Sequence, residues 1–98
     1  MSYRDAVDAD RRLVILQLLA RSHSYVSHEY LIYAALPGFG HDSSLDRVRT
    51  DLAWLEEQGL VTLDSPGDVR LAKLTQRGLD VAGGRATVSG VKRPGPGD

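Results

Sequence analysis

The sequence contains no cysteine, which excludes disulfide cross-links and thiolate metal sites alike. It also lacks a long hydrophobic run. The run Leu13 to Leu16 ends at Gln17, far short of the roughly 20 apolar residues a membrane-spanning helix needs. The opening residues, MSYRDAVDADRR, are polar and acidic, unlike the apolar stretch of a secretory signal. Together these absences point to a cytoplasmic protein. Net charge is nearly absent too, at −1 over 98 residues, whereas nucleic-acid binders are usually basic. The distribution is uneven, however. Residues 1–60 carry six Arg against nine Asp and Glu, and residues 61–98 carry six Lys and Arg against four Asp. Any basic footprint therefore lies toward the C-terminal half.

Catalytic constellations are missing as well. No carboxylate pair, nucleophile–base set or phosphate-cradling glycine loop has the required context, so the chain reads as a non-enzyme without a cofactor. The three histidines, His23, His28 and His41, fall at connectors and a helix start. The spacing of His23 and His28 is not the i, i+4 arrangement of a helical ligand pair, so no metal site is expected.

What is present is helical periodicity. From Asp8 to Arg21 a first helix is expected, apolar nearly all round through Val14, Ile15, Leu16 and Leu18. Such a helix needs cover on more than one side. It is either a core helix wrapped by the other elements or one that lends Val14 and Leu18 to a subunit interface. Ser27 is expected to cap a second helix that ends at Pro37-Gly38. Ser43, with Asp46 three residues on, is among several possible caps of a third helix. That helix places Leu45, Val48, Leu52 and Leu55 on one face and stops at Gly59. Leu60 to Leu63 and Val69 to Leu74 flank a Pro-Gly turn and read as a hairpin, with a bulge where the second run loses its alternation. Thr75 can cap a short last helix, Gln76 to Ala82. Residues 83–98, rich in Gly and Pro, have little to bury and read as a flexible basic tail behind a domain spanning 1–82.

The order is mainly α with a small β-hairpin, a three-helix core plus wing and short C-terminal helix, which is the winged helix-turn-helix arrangement. The run DRVRTDLAWLEEQGLV, followed by LTQRGLDVA, resembles winged helix-turn-helix regulators of the ArsR and MarR type. There a recognition helix ends in Leu-Glu-Glu-x-Gly-Leu-Val, and the returning wing strand closes with Leu-Thr-x-x-Gly, here Leu74, Thr75 and Gly78. More closely, the whole chain, including GRATVSGVKRP, resembles a family of short proteins encoded by Mu-like bacteriophages and prophages. The resemblance implies a DNA-binding homodimer acting in transcription regulation in the bacterial cytoplasm. The absence of cysteine sets the chain apart from metal-sensing ArsR proteins.

On that reading, helix 43–58 would meet double-stranded DNA, with the hairpin 60–74 as wing. Arg47 is the base-reading candidate, because a bidentate Arg–guanine contact is the commonest specific one. Ser43, Ser44 and Thr50 are candidate phosphate or base partners, and Arg49 a phosphate clamp. Arg70 and Lys73 lie near the wing turn, and Arg85, Lys92 and Arg93 lie in the tail. Against this, Arg47 and Asp51 at i, i+4 could form a solvated pair, and residues 43–58 are net negative. Trp54, away from the apolar face, either packs under the wing or the last helix or anchors a partner. The competing expectation is a protein-interaction module that docks on a phage or host protein.

Overall fold

Ser2 starts the first helix earlier than its apolar periodicity suggests. Its hydroxyl accepts from the Asp5 amide at 3.1 Å and the Asp5 carboxylate accepts from the Ser2 amide at 3.2 Å, a reciprocal cap. In the computed structural model, which describes residues 1–96, α1 spans Tyr3–Arg21. The extra turn and a half carries Tyr3, Arg4 and Val7.

α1 is the central helix. Ile15, Leu16 and Leu19 are fully buried and Val14 is 8% exposed, because α1 meets the last helix, the sheet and the turn Leu36–Phe39 on different sides. Of the two readings of its apolar circumference, the core helix is the one realised within the chain.

After a short turn at His23–Tyr25 the chain forms β1, Val26–His28. Ser27 is therefore not the cap of the second helix. It pairs with Ala72 in the sheet, and His28 takes the capping role, its Nδ1 accepting from the Leu31 amide at 3.2 Å. α2 follows as Glu29–Ala35. α3 spans Leu45–Glu57 with Ser44, not Ser43, as its cap; Ser44 Oγ accepts from the Arg47 amide at 3.0 Å.

The wing comprises β2, Val61–Asp64, and β3, Leu71–Leu74, joined through a tight turn at Pro66–Asp68. β3 lies between β1 and β2, antiparallel to both, in continuous register. The expected bulge is absent from the pairing: Val69 precedes the strand, so Ala72 and Leu74 alone set its inward face. α4 is Gln76–Ala82, capped by Thr75.

The wing is locked to α4 by three contacts that account for the Gly-Leu-Val and Leu-Thr-x-x-Gly pieces. Thr75 Oγ1 donates to the Gly59 carbonyl at 2.7 Å and accepts from the Gly78 amide at 3.0 Å. The Thr75 amide donates to the Leu60 carbonyl at 3.1 Å. That carbonyl also lies where a Cβ on Gly78 would stand, only 2.0 Å away, so this position has room for glycine alone.

Residues 83–96 do not behave as a tail without burial. Ala86, Val88 and Val91 pack partly buried against the core. The Lys92 amide donates to the Ala9 carbonyl at 3.1 Å, and Arg12 donates to the Gly90 carbonyl at 3.1 Å. Gly90, at φ +97°, brings its backbone against the Trp54 ring, where a Cβ would stand 2.8 Å from the ring. The segment is a strap across α1 and α3, and its glycine is what permits the approach. Gly97 and Asp98, at the end of the expected tail, lie outside the described residues.

Gly78→Ala should destabilise the fold by about 1–3 kcal/mol, the usual cost of overpacking, while Gly83→Ala, whose nearest neighbour is 3.5 Å away, should change little. Urea denaturation of both variants checks this; equal midpoints would show that the wing–α4 contact is slack.

Candidate nucleic-acid interface

α3 has an inner face of Val48, Leu52 and Leu55, all fully buried, and Asp51 is buried with them. The expected solvated Arg47–Asp51 pair does not form. The Arg11 guanidinium, itself 4% exposed, donates from Nε to one Asp51 oxygen and from Nη2 to the other at 3.2 Å. Arg11 Nη2 also holds Asp8 at 2.8 Å. That hydrogen bond, with the charge of Arg11, outweighs burial and keeps the Asp8 carboxyl below its ordinary range. Arg12 Nε stands 3.6 Å from Asp51. Asp51 comes three residues after Val48 and four before Leu55. This is the spacing of the inner face, a signal in the sequence that marks the residue as buried.

The outward stripe of α3 is Asp46, Thr50, Ala53 and Glu57, all exposed. It carries two acids and no base. Arg47 and Arg49 flank it on opposite sides. Arg47 is exposed and turns toward the start of α1, in a cleft shared with Tyr3 and Arg4. Arg49 turns toward α2 and grips the fully buried Glu29 with two donors, Nε to Oε2 at 3.1 Å and Nη2 to Oε1 at 2.8 Å. This hydrogen-bonded fork holds the Glu29 carboxyl below its ordinary value, and Arg70 nearby adds to the effect. The Thr50 hydroxyl donates back to the Asp46 carbonyl at 3.1 Å. Ser44 is occupied as the helix cap, and Ser43 beside it is half-buried.

On the wing, Arg70 is half-buried and its carbonyl accepts from the Glu29 amide at 2.9 Å. Lys73 is exposed on the outer face of the sheet, in register with Thr62 and Val26. Asp64 and Asp68 are exposed at the turn. Arg85 and Arg93 are exposed on the strap. Lys92 instead bonds Asp10 at 3.3 Å, and His41 Nε2 reaches the other Asp10 oxygen at 2.6 Å. Burial pushes the Asp10 carboxyl up, but these two partners outweigh it and leave it lowered.

Trp54 is partly buried and packs against the hydrophobic core. The Arg12 guanidinium lies 4.1 Å from its ring centroid, a cation–π contact, and the Gly90 backbone lies against the same ring beside Arg12. Val14 is buried and Leu18 packs against the core. Of the three residues singled out for a partner interface, Val14 is buried, while Leu18 and Trp54 stay partly exposed. Besides Met1, Tyr3 and Tyr25, the large apolar side chains left open among the described residues are Tyr30, Leu31 and Tyr33 of α2 and Phe39, at 42–57% exposure. Among the described residues no group of three or more His, Asp or Glu is placed to hold a metal, and no helix is long and apolar enough to cross a membrane.

The uncharacterized protein gp26 of Escherichia phage Mu is 45% identical to this chain over 92 residues, covering 94% of this chain and 95% of gp26. An uncharacterized protein of Haemophilus influenzae is 44% identical over 80 residues, covering 81% of this chain and 78% of its own length. Among solved structures, the complex structure of hsRosR-S4 superposes with a TM-score of 0.66 at 23% identity, over 81% of this chain and 69% of that one. The complex structure of hsRosR-S1 gives 0.61 at 22% identity, over 70% of this chain and 61% of that one. At those identities the likeness is one of fold, and the fold is the winged helix expected from the order of elements. No protein-family model matches the chain, so the finer ArsR or MarR likeness rests on the motif alone.

Asp51 and Glu29 are the two fully buried acids, and each has a distinct test. Asp51→Ala strands a buried guanidinium and should cost about 3–5 kcal/mol. Glu29 has a lowered carboxyl in the folded state, so its contribution is present above the ordinary carboxylate range and is lost as pH falls through the folded value. Thermal melts from about pH 5 to pH 3 should therefore fall steeply for the native chain and less steeply for Glu29→Gln. Parallel curves would remove Glu29 from the acid response.

Proposed function

The chain belongs to the family of gp26 of Escherichia phage Mu, and from that premise we propose that it is a winged-helix DNA-binding regulator of phage or prophage transcription. It acts in the bacterial cytoplasm, as a homodimer and without catalysis or a cofactor. The observation that carries this reading is the winged helix itself, with Arg47 exposed beside the outer face of α3 and Lys73 exposed on the wing. In helix-turn-helix proteins this helix enters the major groove and reads base edges from its N-terminal turns. A dimer would set two such helices about one DNA turn apart. Its contact draws on surface such as Phe39 rather than on Val14 or Leu18.

The internal ion pairs support the reading, because they take negative charge off the surface. Asp51 is paired with Arg11, and Glu29 with Arg49, so neither acid faces an incoming phosphate. Arg49 accordingly acts as a strut that positions α2 against α3, with its side chain 37% exposed. Arg47, Arg70 and Lys73 are the contacts to DNA, assisted by Arg85 and Arg93.

One observation favours a second reading, a module docking on a phage or host protein. The outward stripe of α3 is acidic, and α2 exposes two tyrosines and a leucine. Aromatic residues are enriched in protein interfaces.

Fluorescence anisotropy with duplex from the protein's own upstream region and with random duplex separates the two. Regulator function predicts binding that weakens steeply with salt. Lys73→Ala should lower the salt slope by about 1, and Arg47→Ala should cost about 1–3 kcal/mol of sequence preference. Absence of binding to either duplex at low salt sinks the DNA reading and leaves the docking module.

A further inference from the structure

We infer that the cleft between the start of α1 and the start of α3 binds a small phosphomonoester with a flat apolar body, gripped by Arg4 and Arg47. The cleft measures about 390 Å³, within the range of small-molecule sites. Tyr3, Arg4 and Val7 form one side, and Ser43, Ser44 and Arg47 the other. It exists because the Ser2–Asp5 cap carries α1 past its apolar stretch, so that these residues stand opposite the first turn of α3.

Charge selects the ligand. Within the cleft's lining Asp8 is paired with Arg11, and Arg11 and Arg12 in turn meet Asp51 in the interior, so those four cancel. Arg4 and Arg47 are exposed, and among the described residues neither forms a hydrogen bond or ion pair with a carboxylate. Two guanidinium forks without a hydrogen-bonded carboxylate among the described residues suit a dianion with several acceptor oxygens. A phosphomonoester, with its second pKa near about 6, is such a dianion at neutral pH. A monocarboxylate leaves one fork unmatched. The Val7 side chain and the Tyr3 ring supply apolar surface for a planar body, and the Ser43 hydroxyl is free to join the phosphate.

The site also has a consequence for DNA. Arg47 cannot grip a phosphomonoester in the cleft and a base or backbone outside it at once. Ligand and DNA therefore compete, and each weakens the other by the same factor. This competition rests on the DNA reading, whereas the cleft itself does not.

The test is calorimetric titration of the full chain, without DNA, using 1-naphthyl phosphate. Saturable binding is expected, with inorganic phosphate and 1-naphthol each at least about tenfold weaker, since each lacks half of what the cleft offers. Arg4→Ala and Arg47→Ala should each weaken binding about tenfold or more, as expected for loss of a charge-assisted hydrogen bond. Both should melt as the native chain does, and Arg77→Ala on α4 should bind normally. Absence of saturation overturns the site, as does binding that survives both arginine variants. Inorganic phosphate binding as tightly as the naphthyl ester overturns the apolar half of the assignment. If duplex binds, a DNA affinity unchanged by saturating 1-naphthyl phosphate overturns the competition alone.

Discussion

The pairing of Arg11 with Asp51 is the constraint on which the rest of the arrangement depends. A buried guanidinium and a buried carboxylate tolerate loss of water only if each satisfies the other with good geometry. Here Arg11 meets Asp51 with two donors and Asp8 with one of them. That requirement fixes how α1 crosses α3 and in which register. With the crossing set, Arg12 falls over the Trp54 ring and next to Gly90, so the strap has a floor to lie on. The same crossing faces the first turns of α1 and α3 toward each other, which creates the cleft holding Arg4 and Arg47.

Glu29 and Arg49 make a second clamp, between α2 and α3, with the wing drawn in through the Glu29 amide and the Arg70 carbonyl. The two clamps use opposite flanks of α3. Both place the acid in the interior, and the wing strand β2 is tied in as well, Glu56 accepting from the Leu63 amide at 3.0 Å. The helix is therefore held by polar contacts on either side of its apolar face, and its orientation is specified more sharply than three apolar residues could specify it.

Much of this was legible in the sequence, in uneven measure. α3 follows from the 3-4-3 spacing of Leu45, Val48, Leu52 and Leu55, and α4 from the Thr75 cap and the glycines after Ala82, because both signals are local. β1 was legible in the sequence at best as a Tyr25-Val26 fragment, against the observed Val26–His28. Three residues have no periodicity of their own, and β1 forms only because β3 offers a second edge, which then overrides Ser27 as a cap. The strap was hidden by composition: its glycines and prolines look like linker, yet Ala86, Val88 and Val91 supply small apolar contacts and Gly90 allows the close approach. The ion pairs were hardest to see. Arg11 and Asp51 are 40 residues apart, and each has a local partner at helical spacing that looks sufficient.

The geometry also ranks how α3 could approach a duplex. Entering a groove on its outward stripe would carry Asp46 and Glu57 toward phosphates, where like charge repels and no counterion is released. Rolling the helix onto its Arg47 flank turns both acids away and brings the exposed Arg47 guanidinium forward. The opposite flank offers less, because Arg49 is already spent on Glu29. A tilted approach on the Arg47 side is thus the one that the charge distribution favours. On that approach Arg47, at the mouth of the cleft, would be the point at which the proposed DNA contact and the proposed ligand contact meet.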